Sequence, residues 1–69
     1  MLVICSLLIT VNAGGVGWQT KADTEGKILK ESPDNYLVDF SEGVKEYRLM
    51  GKPSDYKKVL VKKTDCVKE

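Results

Sequence analysis

Met1-Leu2-Val3-Ile4-Cys5-Ser6-Leu7-Leu8-Ile9-Thr10-Val11-Asn12-Ala13 carries no charge and runs into Gly14-Gly15. How these thirteen residues are read decides whether the fold draws on all 69 residues or on 56. Val11 and Ala13 occupy the third-last and last places of the apolar run, the pattern a signal peptidase accepts, so residues 1–13 read as an export signal cut after Ala13. The other reading is a buried strand or helix of a cytosolic domain, since a short apolar run does not separate these by itself. No basic residue precedes Lys21. The run is shorter than the ~20 residues a spanning helix needs, and glycines 14, 15 and 17 interrupt any extension.

Taking the export reading, residues 14–17 become a glycine-rich linker and residues 18–69 the folded domain. A domain of this size buries only about 60% of the surface of its unfolded chain, which leaves one small core and no deep cleft. Beyond the linker, short apolar runs alternate with turn residues, the mark of an all-β domain. Trp18–Lys21 and Lys27–Lys30 are expected as strands separated by a turn at Glu25-Gly26. Ser32-Pro33-Asp34-Asn35 is a loop. Tyr36-Leu37-Val38-Asp39-Phe40 alternates, with Tyr36, Val38 and Phe40 on one face. Ser41-Glu42-Gly43 is expected to turn the chain into a returning strand, Val44–Leu49, with Gly43 at positive φ. Pro53 suits the first position of a helical turn between Met50 and Tyr56. In Lys57–Lys63, Val59 and Val61 share a face, Leu60 points away, and the lysines guard an edge.

The stretch Gly26–Leu49, a glycine turn, an apolar strand, a Tyr36-x-Val38-x-Phe40 strand and a glycine hairpin, resembles the small SH3-like barrels of bacterial and phage proteins. The resemblance extends over Trp18–Val67 and implies about five short antiparallel strands closed into a barrel, with the apolar signal outside it. Gly51-Lys52-Pro53-Ser54-Asp55-Tyr56 is similar to the turn before the last strand of eukaryotic SH3 domains. That likeness implies a groove for proline-rich peptides lined by Pro53 and Tyr56.

The chain has 11 basic and 10 acidic residues and a net charge of +1, which argues against a general polyanion binder. The charges are segregated: residues 14–44 carry three lysines against six acids, and residues 45–69 carry eight basic residues against four acids. Histidine is absent, which removes Ser-His-Asp and Cys-His catalysis and histidine-based zinc ligation. No phosphate-binding or dinucleotide motif is present. The expectation is a protein without enzymatic activity, cofactor or metal. Cleavage after Ala13 would leave Cys66 alone, either linking two copies through an intermolecular disulfide or filling a core edge. Membrane contact would be confined to an uncleaved signal.

Two functions fit. The first is a periplasmic or secreted adaptor or inhibitor that meets a protein partner through Trp18, Tyr36, Tyr47, Arg48, Pro53, Tyr56, Lys58 and Lys62. Trp18 either plugs the barrel end or stays open to the partner, and the tyrosines either form a recognition surface or bury their rings. The second is a cytosolic barrel on which Arg48, Lys57, Lys58, Lys62 and Lys63 contact nucleic-acid phosphates beside aromatic side chains.

Overall fold

In a computed structural model that describes residues 1–69, Leu2–Ala13 is strand β1 and Val16–Glu31 is strand β2. They are joined by Gly14 and Gly15, at φ values of 61° and 81°. A two-residue hairpin turn asks for left-handed conformations at both positions, and only glycine adopts them without strain. The register runs without interruption from Ala13↔Val16 to Leu2↔Lys27. Strands β3 (Asn35–Asp39), β4 (Val59–Lys62) and β5 (Cys66–Lys68) complete one antiparallel sheet in the order β4-β3-β2-β1-β5.

The apolar run is therefore a central strand of the fold, and the expectation of a segment lying outside it is overturned. Val3, Cys5, Leu7 and Ile9 point to one face and supply half of the eight-residue core, with Tyr36, Val38, Phe40 and Val44 opposite. Cutting after Ala13 would remove those four side chains. The expected linker is likewise part of the sheet: Gly14-Gly15 is the turn, and Val16 and Gly17 begin β2. The two expected strands, Trp18–Lys21 and Lys27–Lys30, are pieces of the one long strand β2. Gly26 makes no turn. A side chain there would strike Val38 and Phe40, so its role is to let β2 cross close over the core. A bulge at Leu29 then bends β2 as it pairs with β3.

The hairpin expected around Gly43 is also corrected. After Phe40, the Ser41 N–H donates to Asp39 Oδ1 at 2.8 Å and the Val44 N–H to the Phe40 carbonyl at 3.0 Å. The chain winds into a 3-10 helix, Gly43–Glu46, that buries Val44. The strand pairing with β3 is β4 instead, and residues 44–49 contribute only the bridge Leu49↔Val11. Gly43 has no positive φ; it is needed because a side chain would run into the Glu25 carbonyl. The expected helical turn does form, as the 3-10 helix Pro53–Tyr56. Tyr36, Val38 and Phe40 are buried as the alternation requires, and Leu60 points outward at 67% exposure.

Closure of the expected barrel is not shown, since no backbone ladder joins edge strands β4 and β5. A three-residue 3-10 helix, Lys63–Asp65, nonetheless links them, so the sheet must curl around its core. Side chains cover the seam. Lys63 and Lys68 sit over the Tyr36 ring at 5.2 and 5.7 Å from its centre, and Glu31 pairs with Lys63 at 2.6 Å and Lys68 at 4.0 Å.

Cys66 is bonded to Cys5 within the chain, and no free thiol remains for a bond between copies. The register explains the pairing. The Glu69 N–H donates to the Leu2 carbonyl, which makes Val3↔Lys68, and two residues on Cys5↔Cys66, pairs of the non-hydrogen-bonded type, where facing backbones come closest. Such a bond is compatible with an oxidising, extracellular compartment. No helix is long and apolar enough to cross a membrane.

Candidate functional site

The molecule measures 40 × 19 × 17 Å, and its long axis reflects the length of the β1–β2 hairpin. Because Ala13↔Val16 closes a two-residue loop, the even-numbered residues of β2 exchange backbone hydrogen bonds with β1 and the odd-numbered ones face the other way. Nearest the core these outward groups are covered: the Tyr47 hydroxyl donates to the Asp23 carbonyl at 3.1 Å, and Gly43 lies against the Glu25 carbonyl. From Lys27 onward β3 takes over. Gly17, Gln19 and Lys21 lie between the hairpin turn and this cover, and no other backbone segment pairs with them. The corresponding stretch of β1 differs, since the Asn12 N–H donates to the Arg48 carbonyl, the Thr10 carbonyl accepts from Met50, and the Thr10 N–H donates to the Tyr56 hydroxyl.

Trp18 projects beside this bare edge. It is opposite Val11, on the face that carries Ile9 and Leu7 into the core, yet it is 49% exposed and neighbouring Val16 is 65% exposed. On the opposite face the Met50 side chain lies over Gly17. Where the bare edge ends, a cavity of about 420 Å³ opens, lined by Asp23, Glu25, Glu42 and Glu46 together with Ile4 and Tyr47. Its lining holds no cation, and the neighbouring Lys45 is engaged with Glu42 at 3.1 Å. Glu69 approaches the same group: its carboxyl is pushed above the ordinary range by a hydrogen bond to the Glu25 carboxyl, with some desolvation and the Glu25 charge adding to it.

The eight residues singled out from the sequence are scattered. Tyr36 is buried at 5% exposure beneath Lys63 and Lys68, so its ring is a core element. Tyr56 is half-buried, with its carbonyl accepting from the Phe40 N–H and its hydroxyl holding β1. Pro53 opens the 3-10 helix of which Tyr56 is the last residue. Arg48, Lys58 and Lys62 are exposed; Lys58 and Lys62 flank or end β4, away from Trp18. Only Trp18 and Tyr47 belong to the β2 flank. Asp23, Glu46, Gln19 and Lys21 complete it, and none of them stands out in the sequence by type or local pattern. The signal available for them was Gly14-Gly15, which as a hairpin turn rather than a linker sets the register that puts Gln19 and Lys21 on an edge.

Comparison with known proteins matches the chain to no family model, no curated relative and no solved structure.

Proposed function

We propose that this chain is a small SH3-like module, sealed along its seam by side chains, that acts without catalysis as an adaptor or inhibitor of an envelope or secreted protein. The observation that carries the reading is Trp18: the largest side chain of the protein sits half-exposed on the core-facing side of the β1–β2 hairpin, beyond the end of the core. Tryptophan is enriched where interfaces bury their central contacts. Five antiparallel strands in one sheet are in keeping with the SH3-like reading, and the Cys5–Cys66 bond supports a periplasmic or secreted location. Nucleic-acid binding has less support, because Tyr36, the ring over which Lys63 lies, is buried and offers no face for a base.

The test is capture from envelope and secreted fractions with immobilised protein, comparing the natural chain with Trp18→Ala and mapping the contact by cross-linking. A discrete partner that cross-links to the β2 flank and is lost with Trp18→Ala is the expected result. An unchanged set of captured proteins, or a contact mapped to β4, would overturn the reading.

A further inference from the structure

The edge of β2 ends in charge. Gly17, Gln19 and Lys21 present unpaired N–H and C=O groups in the spacing of a β-ladder, and two residues further along the same edge stand Asp23 and the acidic cavity. An exposed edge of this kind is a template for another strand, and natural edges are usually guarded by proline, bulges or inward-pointing charges. This one has Lys21 alone. Relative to a strand added here, Trp18 occupies a non-hydrogen-bonded position, where opposed side chains approach closest.

Deepening the protein-binding reading, on which this inference rests, we propose that Gly17–Lys21 receives an extended segment of a partner protein as an additional antiparallel strand. An apolar side chain of that segment lies against Trp18, and a basic side chain enters the cavity lined by Asp23 and Glu46. Polarity and spacing follow. In an antiparallel arrangement the N-terminal end of the segment lies beside Asp23, so the basic residue precedes the apolar one by about five residues, or ~17 Å of extended chain. Charge selects this occupant over a second copy of the chain. Two β2 edges paired about a twofold axis at Gln19 would set the cavity against the uncharged tip of the partner hairpin, leaving its carboxylates without a cation.

The probe is a ten-residue peptide of alternating valine and threonine, valine first, with arginine replacing the threonine at its second position, so that a valine stands five residues after the arginine. It is compared with the isomer in which arginine replaces the last threonine, at the tenth position, and with a version N-methylated on the amides that face β2. Binding is read from Trp18 fluorescence and from amide exchange. The expected result is slowed exchange at Gly17, Gln19 and Lys21, with about fivefold tighter binding of the first peptide than of its isomer, the factor of one exposed ion pair. That preference should fall in Glu46→Gln and vanish when Asp23→Asn is added, and N-methylation should abolish binding. Equal binding of the isomers, persistence after N-methylation, or absence of protection at those three amides up to the solubility limit would overturn the proposal. So would a concentration-dependent dimer of the free protein that protects the same amides. Trp18-dependent capture of a partner that leaves these amides exchanging would remove strand addition and leave the protein-binding reading standing.

Discussion

The two halves of the β1–β2 hairpin share one ribbon, one register and one alternation, yet they lead different lives. Near the body, Val3, Cys5, Leu7 and Ile9 face Phe40, Val38, Tyr36 and Val44 and lose contact with water. Toward the tip the same face continues through Val11, Val16 and Trp18, and nothing of the chain's own covers it fully. The covering elements differ as well. In the body, β2 is flanked by the Gly43–Glu46 helix and then β3, and β1 by β5 and its disulfide, whereas at the tip β2 has a free edge. Beyond the end of the core the strand pattern still keeps apolar residues on its inner face, which is the surface proposed to meet a partner, and the packed half holds it in place.

The largest effect on this contrast should come from the disulfide. Cys5 and Cys66 are 61 residues apart in sequence, and a crosslink closing a loop of that size restricts the unfolded chain by about 4 kcal/mol in the chain-entropy account. Cys5→Ala with Cys66→Ala should lower the stability read from a denaturant titration by about that amount, within the usual range of 2–4 kcal/mol. Amide exchange should rise first in β5 and in β1 around Val3–Cys5. Exchange at Trp18 and Thr20, whose amides bond to β1 toward the tip, should rise less. Equal loosening of body and tip would mean that the hairpin is not divided in the way described.

A finer division compares two residues on one face. Ile9 is fully buried and Trp18, on the neighbouring strand, is half-exposed. Ile9→Ala should destabilise by about 3 kcal/mol, the cost of deleting a large buried aliphatic side chain. Trp18→Ala should change stability by less than about 0.5 kcal/mol while removing partner binding. Comparable losses from both substitutions, measured by thermal or denaturant unfolding, would assign Trp18 to the core and deprive the tip of its role.

Much of the body was legible in the sequence. The alternation of Tyr36, Val38 and Phe40 gave a buried strand, Val59 and Val61 gave its neighbour, and Pro53 marked a helical turn. The misreadings share a physical cause. Residues Leu2–Ala13 have the composition of an export signal and also that of a central strand, and composition alone does not choose between them; a Gly-Gly pair followed by another apolar-polar run is the local mark of a hairpin. Gly26 and Gly43 have the local setting of turn formers, yet each serves close approach, to Val38 and Phe40 in one case and to Glu25 in the other. Such approach depends on residues distant in sequence. The site suffered most, since an unpaired edge is a property of what fails to come alongside, and no local pattern records it.

The smallest effect is that of pH, and it should act on the body and spare the tip. Glu31 is held below its ordinary value by the hydrogen bond and charge of Lys63, with a further contribution from Lys68. Asp39 is held low by hydrogen bonds from Ser41 and by the charges of Lys57 and Lys27. Each contributes stability that is present above its unfolded-state value and lost as the pH falls through its depressed folded value. Glu69, raised by Glu25, works in the opposite sense: its contribution is present at the lowest pH and lost as the pH rises through its raised value. Lys63, raised chiefly by its hydrogen bond to Glu31, contributes below its ordinary value and loses that contribution as the medium becomes more alkaline than its raised one. Stability should therefore fall toward both extremes, with the acid decline partly offset by Glu69, and the exposure of these groups keeps the changes small and diminishes them further in salt. Glu31→Gln should flatten both limbs, because it removes the partner of Lys63 as well as a depressed carboxylate. Denaturant midpoints across the pH range at low and high salt measure this. A pH profile unchanged by Glu31→Gln would show that the seam over Tyr36 is held by packing of the lysine stems on the ring and not by its ion pairs.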